Sequence, residues 1–128
     1  MAFIGNADST KMTFLAGSSA KTTTSQYMAG YISAANTVSV VNTTTAFPIG
    51  IIDSYQSGSS ETLTVIIGGP AKGYANVSIA AGSLLTCVDG GKLSGAVTTA
   101  TSHTIGYAVS SASTNGALTI IVSRGGIL

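Results

Sequence analysis

Ile105-Gly106-Tyr107-Ala108, followed after a polar link by Leu118-Thr119-Ile120-Ile121-Val122, repeats an earlier stretch of the same chain. The earlier stretch is Ile49-Gly50-Ile51-Ile52, followed by Leu63-Thr64-Val65-Ile66-Ile67. The two Ile-Gly steps stand 56 residues apart and the two apolar runs 55. A third landmark, Ala29-Gly30-Tyr31-Ile32 against Ala81-Gly82-Ser83-Leu84-Leu85, has an offset of 52. Near-constant spacing over three landmarks predicts a duplicated β unit, with halves at about 26–69 and 78–124.

The apolar runs alternate. Leu63, Val65 and Ile67 share one face, and Thr62, Thr64 and Ile66 the other. The second copy sets Leu118, Ile120 and Val122 against Thr119, Ile121 and Ser123. Period two puts one face of each strand in a core. An isoleucine stands on the outer face in both copies. Ile66 and Ile121 therefore either cover a second layer or mark a subunit contact.

Working outward, further strands are predicted at 37–41, 47–55, 61–68, 74–79, 83–88, 103–110 and 117–123. Val, Ile and Thr fill these segments, and glycine-rich turns separate them. Asp89-Gly90-Gly91-Lys92 and Thr114-Asn115-Gly116 suit tight hairpins, and Ser57-Gly58-Ser59-Ser60 does the same in the first copy. Pro48 is placed at a strand start, and Gly68-Gly69-Pro70 at a strand end. A weak helical pattern over 25–32 is interrupted by Gly30. Residues 1–25 read as an extended N-terminal arm with one apolar segment, Met12-Thr13-Phe14-Leu15, suited to adding a strand to a neighbouring chain. The fold class expected is all-β: a small β-barrel or sandwich built from two similar β units, residues 26–128 forming one domain behind the arm.

Composition narrows the function. Of 128 residues, 45% are hydrophobic and only 7% charged, against roughly 25% charged in ordinary soluble domains. Serine and threonine supply the polarity, at roughly a quarter of the chain. Net charge is +1, a weak barrier to self-association. A surface of hydroxyls and small apolar groups desolvates cheaply and suits coverage by protein partners. Lys11, Lys21, Lys72, Lys92 and Arg124 are scattered, whereas phosphate backbones need a clustered basic face, so no nucleic-acid partner is expected. No apolar run is long enough for a membrane helix, and the N-terminus as given shows no secretory signal; no membrane association is expected.

Catalytic chemistry finds little support. His103 is the single histidine, and no Gly-x-Ser-x-Gly elbow accompanies it. Asp8, Asp53, Glu61 and Asp89 fall in turns or flank strands, where carboxylates are ordinarily solvated. One histidine and one cysteine do not make a zinc site, and Cys87 reads as a small buried apolar residue. Gly68-Gly69-Pro70-Ala71-Lys72-Gly73 lacks the Gly-Lys-Ser/Thr ending and following helix of a phosphate loop. Asn42-Thr43-Thr44 and Asn76-Val77-Ser78 match glycosylation acceptors without an export route. Tyr27, Tyr31, Tyr55, Tyr74 and Tyr107 suit the core, its rim or an interface. No enzymatic activity, cofactor, metal or small-molecule substrate is expected.

One ordered series remains: Ile79-Ala80-Ala81-Gly82-Ser83-Leu84-Leu85-Thr86, Asp89-Gly90-Gly91-Lys92, Ile105-Gly106-Tyr107-Ala108 and Gly116-Ala117-Leu118-Thr119-Ile120-Ile121-Val122. It resembles the C-terminal signature of the capsid decoration (cement) proteins of tailed bacteriophages, over about 78–124 with a weaker echo over 26–69. Ser83 stands where that family often carries a carboxylate, so no role of that carboxylate carries over. The resemblance implies a structural virion protein on the outer surface of an icosahedral capsid, stabilising contacts between major capsid protein subunits, often as a homotrimer. Phe14 and Leu15 of the arm, with Ile66 and Ile121, are the candidate interface residues. Another virion module (a head fibre or tail component) and a surface adhesive or carbohydrate-binding β module remain as alternatives.

Overall fold

Residues 9–17, 25–42, 47–56, 61–88, 90–95 and 103–127 are described by a computed structural model of the chain. Nine strands run through them, without an α-helix among the described residues. They are β1 (Thr10–Ala16), β2 (Ala29–Ala34), β3 (Thr37–Val40), β4 (Pro48–Gln56), β5 (Thr62–Tyr74), β6 (Leu84–Cys87), β7 (Leu93–Ser94), β8 (His103–Ala108) and β9 (Ala117–Ile127). The expected all-β class is the one found.

The first half of the chain closes on itself. β1 pairs in parallel with β3, and antiparallel pairings then join β3 to β2, β2 to β4, β4 to β5, and β5 back to β1. Closing a five-stranded barrel leaves no bare strand edge to recruit foreign strands.

β5 does not stop at the rim of this barrel. Up to Gly68 it pairs with β1 and β4, and from Gly69 to Tyr74 it pairs with β9. The strand end expected at Gly68-Gly69-Pro70 is therefore a crossing point. Gly69 has a φ of 89°, open to a residue without a Cβ, which re-aims the strand into the next sheet without ending it. The Pro70 carbonyl there accepts the Ser9 hydroxyl at 2.5 Å. The strand expected over 74–79 correspondingly ends at Tyr74, leaving single bridges at Ala75 and Ile79.

Beyond the crossing, β9 pairs with β8, β8 with β6 and β6 with β7. A parallel bridge between Ala75 and Leu93 returns β7 to the end of β5. The result is a second ring of five, which corresponds to the first pairing by pairing. Parallel Ala16↔Val38 matches parallel Ala75↔Leu93. Lys11↔Ile66 matches Pro70↔Ile121, and Phe14↔Leu63 matches Gly73↔Leu118. Ile51↔Ile66 matches Tyr107↔Ile121, and Gly30↔Gly50 matches Leu85↔Gly106.

The Ile-Gly steps and the apolar runs are thus true equivalents. A side chain on Gly50 would run into the Ile66 carbonyl, and one on Gly106 into the Ile121 carbonyl. The Ile-Gly step recurs because both barrels bring two strands too close there for a Cβ. The Ala-Gly landmark is a correction. Gly82 sits in the turn before β6, and register equates Gly30 of β2 with Leu85 instead.

The arm is a second correction. Residues 10–16, expected inside an extended arm of 1–25, are a stave of barrel one held along both edges. Met12, Phe14 and Ala16 alternate to give β1 an inward apolar face, and its counterpart is the second half of β5. Each unit therefore needs such a strand to close, and the first unit begins at β1 rather than at residue 26. Residues 1–8 and 18–24 of the arm, and the predicted turn at 57–60, lie outside the described residues.

Each barrel has its own filling. Ala16, Val38, Ile52, Leu63 and Val65 pack in barrel one, and their counterparts Ala75, Leu93, Ala108, Leu118 and Ile120 in barrel two. Each fully buried Ile or Leu contributes roughly 1.5–3 kcal/mol. The second cluster is the larger: it adds the buried Ala71, Ile79, Leu85, Cys87, Ile105 and Val122 of its own unit, and it takes in Ala29, Val41, Ile51 and Ile66, which project from the outside of barrel one.

Candidate functional site

Two surfaces and one cleft stand out. The first surface is the mouth of barrel one, an apolar cavity of about 200 Å3 lined by Met12, Phe14, Ile32, Ile49 and Ile67. Strand alternation sends Met12, Phe14, Ile32 and Ile67 toward the barrel axis at its open end, and the register shift in β4 between Gly50 and Pro48 turns Ile49 to the same side, opposite to Ile51. Met12 is 49% and Ile32 52% exposed. The equivalent positions of barrel two are Ala71, Gly73, Cys87, Ile105 and Val122, and the four with side chains are buried.

The second surface is a row of cross-strand neighbours, Leu84, Tyr107 and Ile121, on β6, β8 and β9. Its counterpart in the first unit is the row Ala29, Ile51 and Ile66. The first-unit row is buried against barrel two. Tyr107, the counterpart of Ile51, is 51% exposed, and Leu84 and Ile121 are half-buried.

The cleft lies at the waist between the barrels. It has a volume of about 340 Å3, and its lining includes Ser9, Lys11, Tyr27, Asp53, Lys72 and Thr119. Lys11 Nζ donates to Asp53 Oδ2 at 3.2 Å, and Gln26 Nε2 donates to the Asp53 carbonyl at 3.0 Å. Lys72 Nζ sits 4.7 Å from the Tyr27 ring centroid and 5.6 Å from that of Tyr74. Tyr27 holds a φ of 70°, uncommon for a bulky residue, and its N–H donates to the Ile52 carbonyl. The cleft's cations are thus both engaged, one by a carboxylate and one by two aromatic faces.

The four interface residues predicted from sequence separate. Phe14 lines the mouth. Leu15 points the other way and is 48% exposed. Ile66, expected to face outward, is only 6% exposed, because the outer face of β5 in barrel one is the face laid on barrel two. Of the two readings of the outer isoleucines, Ile66 follows the second layer. Ile121 is the half-buried β9 end of the exposed row. The two surfaces also take in Met12, Ile32, Ile49, Ile67 and Tyr107, none of them among those four. Tyr107 stood in plain view opposite Ile51 in the repeat, but which of the two is covered depends on how the barrels stack.

The chemically active residue types are held apart. Cys87 is buried in the second core, where burial pushes its thiol up to about 12, far from a reactive thiolate at neutral pH. The ring of His103 packs edge-on against Phe47 at 4.9 Å. Glu61 accepts the Tyr55 hydroxyl at 3.0 Å, and Asp53 is paired with Lys11. Among the described residues, no three His, Cys, Asp or Glu side chains gather to hold a metal.

No family model and no curated protein matches the sequence. Among solved structures, the chain is similar to the gp8.5 N base of the head fibre of bacteriophage phi29, with a TM-score of 0.65 and 20% sequence identity. The alignment covers 93% of this chain and 97% of that one, so it runs through both barrels. At that identity the likeness establishes a shared two-unit β fold.

Proposed function

We propose that this chain is a structural component of a bacteriophage virion, seated on the outer surface of the capsid against the major capsid protein as a homotrimer. The observation that carries the reading is the reciprocal, near-complete likeness to a head-fibre base. A module seated on a shell needs surface to give to protein contacts, and this chain offers exposed apolar surfaces on a body with little charge. A modest contact repeated over a capsid lattice gains by avidity, so no single interface has to be strong.

Two forms of the reading differ in copy number. The residue series from Ile79 to Val122 supports a decoration protein that reinforces contacts between shell subunits throughout the lattice. The fold likeness supports the base of a head fibre, present at selected sites.

Purified protein incubated at micromolar concentration with expanded capsids of the same phage tests the reading. Co-sedimentation, with a reconstruction showing extra density on the shell exterior, is expected. Density on every equivalent site indicates decoration, and density at selected sites a fibre base. Absence of binding to both expanded and mature heads overturns the proposal.

A further inference from the structure

The two barrels leave one unmatched pair. Inside the chain, the Ala29–Ile51–Ile66 row of unit one covers the mouth of barrel two. The Ile51 side chain reaches to 4.0 Å of where a Cβ on Gly73 would stand, and Gly73 is the counterpart of the mouth residue Phe14. The turn at Gly90-Gly91 locks this junction, with the Ala29 N–H donating to the Gly91 carbonyl and the Gly90 N–H to that of Val41. What remains is the mouth of barrel one, which no row covers, and the row of barrel two, which covers no mouth.

We infer that the Leu84–Tyr107–Ile121 row of one copy docks on the mouth of barrel one in a second copy. The contact inside the chain is the template: the same positions meet, with the second row replacing the first. Both halves carry the right chemistry. The mouth is lined by aliphatic, thioether and phenyl groups without a converging charge, and the row is apolar with a single hydroxyl at Tyr107. A tyrosine suits such a site because its ring fills an apolar recess while its hydroxyl stays wet. The mouth is too small for a typical small-molecule pocket of roughly 300–1,000 Å3, at about 200 Å3.

The contact is made between copies and not within one. Were the operation relating the two barrels a closed twofold, row two would already lie on mouth one. Tyr107 at 51% and Ile32 at 52% exposure exclude this. A contact between two different surfaces of one chain is heterologous: it closes into a ring or runs on as a fibre. The homotrimer proposed above is its smallest ring beyond two copies. The inference gives that trimer its contact residues, yet rests on the internal repeat and not on any capsid.

The experiment needs only the soluble full-length chain. Sedimentation and light scattering across micromolar to millimolar concentrations should show concentration-dependent assembly. Tyr107→Asp in the row and Ile32→Asp in the mouth, at half-exposed positions, should each reduce the protein to monomer with unchanged circular dichroism. Mixing the two variants should restore a dimer and nothing larger, because each contributes one intact surface. Should either variant lose its fold, Tyr107→Ser and Ile32→Ser provide the same arms. A wild type that stays monomeric throughout overturns the inference. So does assembly that survives both substitutions, and so does a mixture that stays monomeric, which would show each surface meeting its own kind. Failure to bind capsids overturns only the virion reading and leaves this outcome untouched.

Discussion

Barrel one and barrel two share their strand order, their closing parallel contact and their forbidden Cβ positions, yet their ends have diverged. Barrel two is lined by Ala71, Gly73 and Cys87 where barrel one has Met12, Phe14 and Ile32. Small side chains in barrel two make room for Leu93, whose Cδ1 occupies the space a Cβ on Gly73 would take, and for Ile51 arriving from outside. Barrel one keeps bulky side chains and an open mouth. Register is the part of the design that duplication held constant. Burial is the part it released, and the residues proposed to meet a second copy lie where burial differs between equivalent positions.

The harshest break of the comparison is removal of one closing strand. Deleting residues 1–17 takes away β1, leaving β3 and the first half of β5 without their shared neighbour. Barrel one should then fail to fold, with loss of the cooperative denaturation transition and of β-type circular dichroism at room temperature. A truncated protein that melts like the full chain would return β1 to the status of an arm.

Next come the paired glycines. Gly50→Ala and Gly106→Ala each push a methyl into a backbone carbonyl, which does not yield as a flexible side chain would. Each should lower stability by about 3 kcal/mol, at the upper end of overpacking effects, in urea denaturation. Equal losses sharpen the equivalence of the barrels. A tolerated alanine at either position breaks it.

The third comparison asks whether equivalent positions in different surroundings behave differently. Ile51 is fully buried at the junction, and Ile51→Ala should lower the stability of the monomer by about 3 kcal/mol. Tyr107→Ala, measured at concentrations too low for assembly, should change it by no more than about 0.5 kcal/mol. Similar losses at both sites would mean that row two is covered within the chain.

Cys87 and its counterpart Ile32 supply a pH contrast. The folded thiol is pushed up to about 12 by burial, while an unfolded thiol titrates near 8.5. Below pH 8.5 both states hold the proton and stability is unaffected. Above it the unfolded state releases the proton first, so stability falls as pH rises until the folded thiol also ionises. The loss should reach about 1 kcal/mol by pH 9.5, and Cys87→Val should remove that slope. A slope that survives the substitution assigns the effect elsewhere.

How much of this was legible in the sequence follows from what each level of structure depends on. Period two in Leu63–Ile67 and Leu118–Val122 reports the two faces of a strand, a property of neighbours in the chain, and it was readable. The Ile-Gly steps reported a backbone contact repeated 56 residues on, and they were readable too. Gly68-Gly69-Pro70 was misread because the same residues end a strand or bend it, and only the pairing partners of Lys72 and Tyr74 on β9 decide which. β1 was misread because its inward face, Met12, Phe14 and Ala16, is short and flanked by polar residues, so its membership rests on edges contributed by β3 and β5. The burial of the candidate interface residues was only half legible. Ile66 and Ile121 are indistinguishable in the repeat, and only the stacking of one barrel on the other buries the first and leaves the second at the surface.

The waist is where the comparison should show its smallest effect. Lys11 and Pro70 are counterparts, and only Lys11 brings a charge, which it pairs with Asp53 across β1 and β4. Both partners stay in contact with water, at 49% and 32% side-chain exposure. An exposed ion pair gains little over solvated ions, and salt screens what it gains. Lys11→Ala should therefore cost no more than about 0.5 kcal/mol at low ionic strength, and nothing measurable in molar salt. A larger loss that persists in high salt would point to the aliphatic stem of Lys11 packing over Ile66 beside it. The cation would then be incidental, and Lys11 would share with Pro70 the task of covering the junction between the barrels.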